Sequence, residues 1–234
     1  MESGDHVEPK DMLHLLSLGE IFGGFSHEIA QPLNVIMMAS QLIRLKAQQA
    51  GLEGEDEAYI MQRSDLISSQ VRKVADIIET VREFSRGAPA PQAARDIQAV
   101  LEKVRGLMGE QFVNRGIDLT WETQVPLPDG AGADLTTLEE IMVQNLAFAR
   151  DTVQALGAWH EKRQVPYEKR VRVKALDEAG GCMVSLSWDQ CGFPEGVFAV
   201  EPRSRIGLVL AESIISKMGG SLITTPSGIE IILR

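Results

Sequence analysis

Apolar residues recur every seven positions along the first part of the chain. Leu15, Phe22, Ile29, Ile36 and Ile43 form one row, with Leu18, Phe25 and Leu33 beside it. A row of that period predicts a long helix from Asp11 to about Ala50 with one apolar seam. Gly51 to Asp56 (GLEGED) interrupts the run with two glycines and acidic residues, which reads as a hairpin turn. The seam then resumes at Ile60, Ile67, Val74 and Val81, seconded by Val71, Ile78 and Phe84. This predicts a second helix from Glu57 to about Arg86. Two helices of roughly 30 to 40 residues would each run about 45 to 60 Å. A lone pair of that length cannot bury both seams, whereas pairing with a second copy makes a four-helix bundle. A homodimer through residues 11–86 is therefore expected.

The pattern changes after a Pro/Ala/Gly stretch, Gly87 to Ala94 (GAPAPQAA), which reads as a linker between domains. Beyond it, Ile97 to Asn114 has helical spacing and Ile117 to Thr123 alternates as a strand. Leu135 to Leu156 is again helical, and Arg170 to Leu176 and Met183 to Trp188 read as strands. Ile206 to Met218 predicts a helix, followed by a hairpin of Ser221 to Thr225 with Ile229 to Leu233 around Pro226, Ser227 and Gly228. Helices with clustered, largely antiparallel strands suggest a two-layer α/β sandwich over residues 95–234. Residues 1–10 are polar, with Gly4 and Pro9, and read as a flexible lead-in. The predicted class is α+β.

Composition narrows the function. A net charge of -10 argues against a nucleic-acid partner, because binding phosphate backbones needs clustered Lys and Arg. One basic run, Lys169, Arg170, Arg172 and Lys174, stands out, and a solvated strand edge accounts for it. Aromatics are 5% of the chain, so the core is aliphatic. The two cysteines, Cys182 and Cys191, form neither a disulfide framework nor a metal cluster, and a reducing compartment suits them. No apolar run reaches the length of a membrane span and no signal-peptide pattern opens the chain. A soluble, cytoplasmic protein is expected, which could be the signalling end of something longer.

Candidate chemistry centres on His27. With Ile29 as an a position, His27 falls at f, turned away from the seam, and Glu28 at g. On spacing alone two readings stand level: a functional imidazole, or a histidine that an exposed helical position merely tolerates. The neighbouring residues separate them. Phe25-Ser26-His27-Glu28-Ile29-Ala30-Gln31-Pro32-Leu33 closely resembles the H-box of bacterial two-component sensor histidine kinases, in the subgroup reading S-H-E-x-x-Q-P-L. The resemblance implies that His27 is the phosphoacceptor. It implies that Glu28 accepts from one ring nitrogen and raises the basicity of the other. It implies, more weakly, that Gln31 orients the water that hydrolyses a partner's phospho-aspartate. Asn34, Met37, Met38 and Gln41 continue the outer face. Exposed methionines there suit either a docked receiver domain or the neighbouring domain of the same chain.

The sandwich resembles the ATP-binding catalytic domain of the same kinases, but its functional boxes depart from the pattern. Leu138 to Asp151 follows the N-box helix, L-E-Q-V-L-x-N-L-x-x-N-A-x-D, with Phe148 where the second, magnesium-holding asparagine belongs. A hard cation needs oxygen ligands and a phenyl ring supplies none. Asn145 lies three residues earlier, on a different face. The D-x-G-x-G box reads Asp189-Gln190-Cys191-Gly192-Phe193: the adenine-recognising acid stays, and only Gly192 survives, out of register. The nucleotide lid is short, and the usual G-x-G-L reads Ile206-Gly207-Leu208-Val209-Leu210, leaving Gly207 where phosphates would meet helix amides. Asp189, Gly192 and Gly207 are the candidate nucleotide residues, and ATP with magnesium is expected only if this divergent site works.

The preferred expectation is a dimeric phosphorelay protein that exchanges phosphoryl groups between His27 and a response-regulator receiver aspartate, the receiver supplying magnesium. The alternatives are an active ATP-dependent histidine kinase with a divergent site, and a pseudokinase scaffold that binds a response regulator without chemistry.

Overall fold

A computed structural model describes residues 8–48, 54–85, 97–123, 134–178, 181–200 and 205–233, and of some of these, Ser26 and His27 among them, only the backbone. The expected linker, 87–94, and most of the expected hairpin turn fall outside these residues. Ten elements follow in order: α1 (Pro9–Gln48), α2 (Gly54–Ser85), α3 (Ile97–Val113), β1 (Asp118–Thr123), α4 (Leu135–Glu161), β2 (Arg170–Glu178), β3 (Gly181–Trp188), α5 (Ile206–Lys217), β4 (Ser221–Thr225) and β5 (Gly228–Leu233). The chain divides into two compact units, one of residues 22–88, the other of residues 1–21 with 89–234. The boundary falls inside α1, eleven residues later than the expected start of the hairpin at residue 11.

The smaller unit is the helical hairpin of α2 and the remainder of α1. Phe25, Ala39, Ile77 and Phe84 are buried. Near the turn, Lys46 Nζ meets Asp56 Oδ1 at 2.6 Å, and Lys46 and Arg63 both lie over the Tyr59 ring. The seam differs from expectation. Phe22 (51%) and Leu33 (51%) are half exposed, as are Val71 (51%) and Ile78 (52%) on α2. The reason is geometric. Within one chain each helix has a single neighbour in the hairpin, so only one flank of a broad apolar stripe is covered.

The larger unit is a two-layer sandwich. Its five strands lie in the order β1-β2-β3-β5-β4. β1 pairs parallel to β2, and every other pairing is antiparallel. Strand alternation makes one face apolar: Val171, Val173 and Ala175 on β2, Val184 and Leu186 on β3, and Ile229 and Ile231 on β5 are buried. That face packs under α3, α4 and α5. The basic run is not on an edge as expected, because β2 is a central strand. Arg170, Arg172 and Lys174 project from its outer face. Arg170 pairs with Asp118 and Lys174 with Glu122, across the β1–β2 ladder.

α4 is the spine of the unit. Asp134 caps it, its side chain accepting from the amides of Thr136 and Thr137. Every residue from Thr137 to Arg150 is buried, which is why the segment lacks a polar stripe. The first turns of α1 belong to this unit and lie along α4, with Leu13, Ser17 and Ile21 fully buried.

Candidate functional site

The H-box lies entirely within α1, and residue 27 sits in unbroken helix. Pro32 is inside the helix and buried, and supplies no N–H to the preceding turn. Glu28 is buried at 8% exposure, which places a carboxylate next to residue 27 in a sheltered position. Gln31, Asn34, Met37, Met38 and Gln41 are all exposed. Positions 27, 31, 34, 38 and 41 follow the three-four spacing of one helix face. The exposed stripe therefore includes every sequence-proposed docking residue, with Met37 alongside.

The candidate nucleotide residues lie in the other unit. Asp189 is exposed at the end of β3. Its Oδ1 accepts from the Cys191 amide at 2.8 Å, and its carbonyl accepts from the Tyr167 hydroxyl at 2.7 Å. Burial pushes the Tyr167 hydroxyl up to about 12, so it stays a donor at neutral pH. Gly192 has φ +68, a conformation that glycine adopts freely. The sequence signal at this loop is thus a real turn, closed on itself by the acid that would read adenine.

The position where the resemblance would place a magnesium-holding asparagine is occupied by hydrocarbon. Phe148 is 2% exposed and meets Trp188 edge-on at 6.1 Å and Phe198 at 6.3 Å. The Arg205 guanidinium lies over Phe198 at 3.9 Å. This cluster connects α4, the end of β3 and the residue that precedes α5. Asn145 is fully buried, with neither side-chain polar atom hydrogen-bonded. Gly207, at the start of α5, is buried, and a β-carbon there would come within 2.9 Å of Gln144 Cδ and nearer still to Oε1. Gln144 stands where the N-box has its first asparagine, and its side chain fills the space over the one glycine left in that segment. Among the described residues, no three His, Cys, Asp or Glu side chains are grouped to hold a metal. The residues present do not fit a magnesium nucleotide.

Two features escaped the sequence. Arg150, buried at 5%, donates to Gln111 Oε1 at 2.6 Å and to Glu20 Oε2 at 3.0 Å. His14 Nδ1 meets Glu140 Oε1 at 2.6 Å. Burial raises the Glu140 carboxyl, and His14 and Lys10 partly offset it. The pairs Arg150–Glu20 and His14–Glu140 join residues more than 100 positions apart, and Arg150–Gln111 residues 39 apart, so no local pattern announces them. A third cluster, His160 stacked on Tyr167 at 4.6 Å and met edge-on by Trp159, had no signal beyond an isolated histidine.

Residues 17–89 match the His Kinase A (phospho-acceptor) domain. Over most of its length the chain is similar to sensor histidine kinases. Across 223 residues it is 26% identical to the two-component sensor PprA of Pseudomonas aeruginosa, covering 92% of this chain and 23% of that protein. It is 25% identical over 207 residues to the sensory histidine kinase/phosphatase NtrB of Rhodobacter capsulatus, covering 83% of this chain and 55% of NtrB. The signal transduction histidine-protein kinase AtoS of Escherichia coli is 23% identical over 209 residues, covering 89% of this chain and 32% of AtoS. The chain thus spans about a quarter to a half of the length of these relatives. Solved structures similar to it include a bacterial phosphotransferase (TM-score 0.40, 16% identity, 94% of this chain and 96% of that one). Full-length ShkA, solved with AMPPNP, is another (TM-score 0.44, 21% identity, 97% and 45%). Among the described residues, no helix is long and apolar enough to cross a membrane.

Proposed function

We propose that the chain is a cytoplasmic two-component phosphorelay protein, phosphorylated on His27, that exchanges phosphoryl groups with a receiver-domain aspartate. The observation that carries this reading is a complete H-box on α1 in a chain whose N-box asparagine is replaced by Phe148, buried against Trp188 and Phe198. The phosphoryl donor is then a partner's acyl phosphate, with the receiver supplying magnesium. In the transfer, a ring nitrogen of His27 forms the N–P bond as the P–O bond to aspartate breaks. The electron pair leaves with the aspartate carboxylate, and Glu28 takes the proton from the other ring nitrogen. Gln31 orients water in the competing hydrolysis of the receiver's phospho-aspartate. Asn34, Met37, Met38 and Gln41 form the surface on which the receiver rests.

The half-exposed Phe22, Leu33, Val71 and Ile78 support a homodimer, since a second hairpin would cover them. The domain division at 11–86 and 95–234 belongs to the same reading.

The test is transfer of label from a phosphorylated receiver. Wild-type protein should become labelled and His27→Ala should not, with dimer and receiver binding kept. No labelling by any receiver would remove the proposal. Autophosphorylation from ATP is the second reading, favoured by the exposed Asp189 and the positive φ of Gly192. Robust labelling of His27 by ATP and magnesium would establish it in place of the first. Regulator binding with signalling unchanged in His27→Ala would point instead to a scaffold.

A further inference from the structure

β1 is an edge strand: β2 lies on one side of it, and among the described residues no strand lies on the other. The Asp118 N–H donates to the Lys169 carbonyl at 2.8 Å. Alternation along a parallel ladder then turns the N–H and C=O groups of Leu119 and Trp121 away from β2. Such an edge is a template for one more strand.

Beside this edge runs a groove of about 650 Å³ between α3 and β1. Leu119 and Trp121 form its β1 wall and neither is fully buried, although Val171 and Val173, their partners on β2, are. The gap comes from α3. Gly106 and Gly109, three apart and so on one side of the helix, line the groove, and Val113, one turn on, is 69% exposed. A β-carbon at either glycine would meet nothing within 4 Å, so packing inside the unit does not require glycine. Glycine is nevertheless the poorest helix former apart from proline. What the two glycines preserve is the open space itself. Trp121 adds an indole N–H that is buried with no acceptor among the described residues, whereas a buried Trp N–H ordinarily has one.

Charge selects the occupant. On the outer face of β1, Asp118 and Glu122 stay more than half exposed while pairing with Arg170 and Lys174. Glu102 and Glu110 line the groove from α3, with Arg105 between them. A second copy of β1 laid along this edge would bring Asp118 and Glu122 against the same two acids, so self-pairing is disfavoured. A strand from another protein fits when its side chains alternate, apolar toward the groove and Lys or Arg toward Asp118 and Glu122.

We propose that the free edge of β1 and the groove beside it take up an extended segment of a partner protein, of alternating apolar and basic residues, as a sixth strand of the sheet. Main-chain hydrogen bonds to Leu119 and Trp121 supply the pairing, and the groove receives the apolar side chains. This surface belongs to the sandwich and is independent of whether His27 accepts a phosphoryl group.

The test titrates the full chain with a short blocked peptide alternating lysine and valine, and with the same peptide carrying glutamate for lysine. The lysine peptide should bind at least about tenfold more tightly by calorimetry. At saturation, hydrogen exchange at the Leu119 and Trp121 amides should slow at least about tenfold. Gly109→Leu or Gly106→Leu, which fills the groove, should keep the fold and weaken binding about tenfold or more. Asp118→Asn with Glu122→Gln should remove most of the preference for lysine. N-methylation of the valines or of the lysines should abolish binding in one case and be tolerated in the other, because only alternate peptide N–H groups face β1. The proposal is overturned if the lysine peptide does not bind, if both methylated peptides bind equally, or if Leu119 and Trp121 exchange as fast with peptide as without. Protection already present without peptide overturns it as well. If that protection grows with protein concentration, the edge belongs to a second copy; if it is constant, to a segment of this chain.

Discussion

At residue 207 two small effects oppose each other. Alanine suits a helix better than glycine by about 0.5–1 kcal/mol. A β-carbon there would press on the Gln144 amide, however, and Gln144 is not free to yield, because Ser17 holds its other end. Overpacking of a filled interior costs about 1–3 kcal/mol, so Gly207→Ala should destabilise the larger unit by about 1 kcal/mol net. In a Gln144→Ala background the same change should become neutral or stabilising. Urea denaturation of the four proteins of this cycle measures the coupling, and additive effects would show that the crowding is relieved elsewhere. The example marks the limit of residue-level reading. His27 is legible because nine contiguous residues carry its motif. The job of Gln144 is not, because it depends on Ser17, 127 residues away in sequence. The departures at Phe148 and at Asp189 to Phe193 were visible as absences. What fills the space, an aromatic cluster and an amide, became visible only in the fold.

Elements were largely legible because each has a single period. The alternation of β3, whose Cys182, Val184, Leu186 and Trp188 are buried, and the aliphatic spacing of α3 each follow from burying one face. α4 was legible as a helix but not as the spine, since it is buried nearly all round over Thr137 to Arg150. The expected seam of α1 and α2 is only partly covered in the single chain, with Leu15 and Phe22 exposed. Ile78, 52% exposed in the single chain, lies six residues before the buried Phe84, and its exposure is unfavourable unless something covers it. If a second hairpin does, a carboxylate there would be stranded in an apolar interface. Ile78→Glu should convert a dimer to a monomer by light scattering, with helix content by circular dichroism kept at concentrations where the hairpin survives. A wild-type monomer, or a variant that stays dimeric, would place the covering partner elsewhere.

For the whole molecule, two units with separate cores should unfold in two steps. Among the described residues of the hairpin unit, Phe25, Ala39, Ile77 and Phe84 are the buried hydrophobic side chains, a small set, so its stability should lean on the second copy. Mass action then moves its transition upward with protein concentration, by about 1.4 kcal/mol per tenfold for a two-state dimer, while the sandwich transition stays in place. Acidity should do the reverse. Burial raises the carboxyls of Glu139 and Glu140 above their ordinary value of 4.5, with Lys103 and His14 only partly opposing it. A carboxyl raised in the folded state binds its proton more tightly there than in the unfolded chain. Stability is therefore lowest above the raised value and recovers as pH falls through it toward 4.5. Asp134 works in the opposite sense. Burial alone would raise it, but hydrogen bonds from Lys10 and Thr137 hold it below 3.8, so the stability it contributes is lost only at more acidic pH. From neutrality down to 4.5 the two buried glutamates act in this direction. Calorimetry should show the sandwich transition rising over that interval and the hairpin transition much less affected. Glu139→Gln removes one of the two titrations while leaving Lys103, partly exposed beside it, in contact with water, and should flatten the rise. A rise of unchanged size in Glu139→Gln would assign the whole effect to Glu140, which pairs with His14.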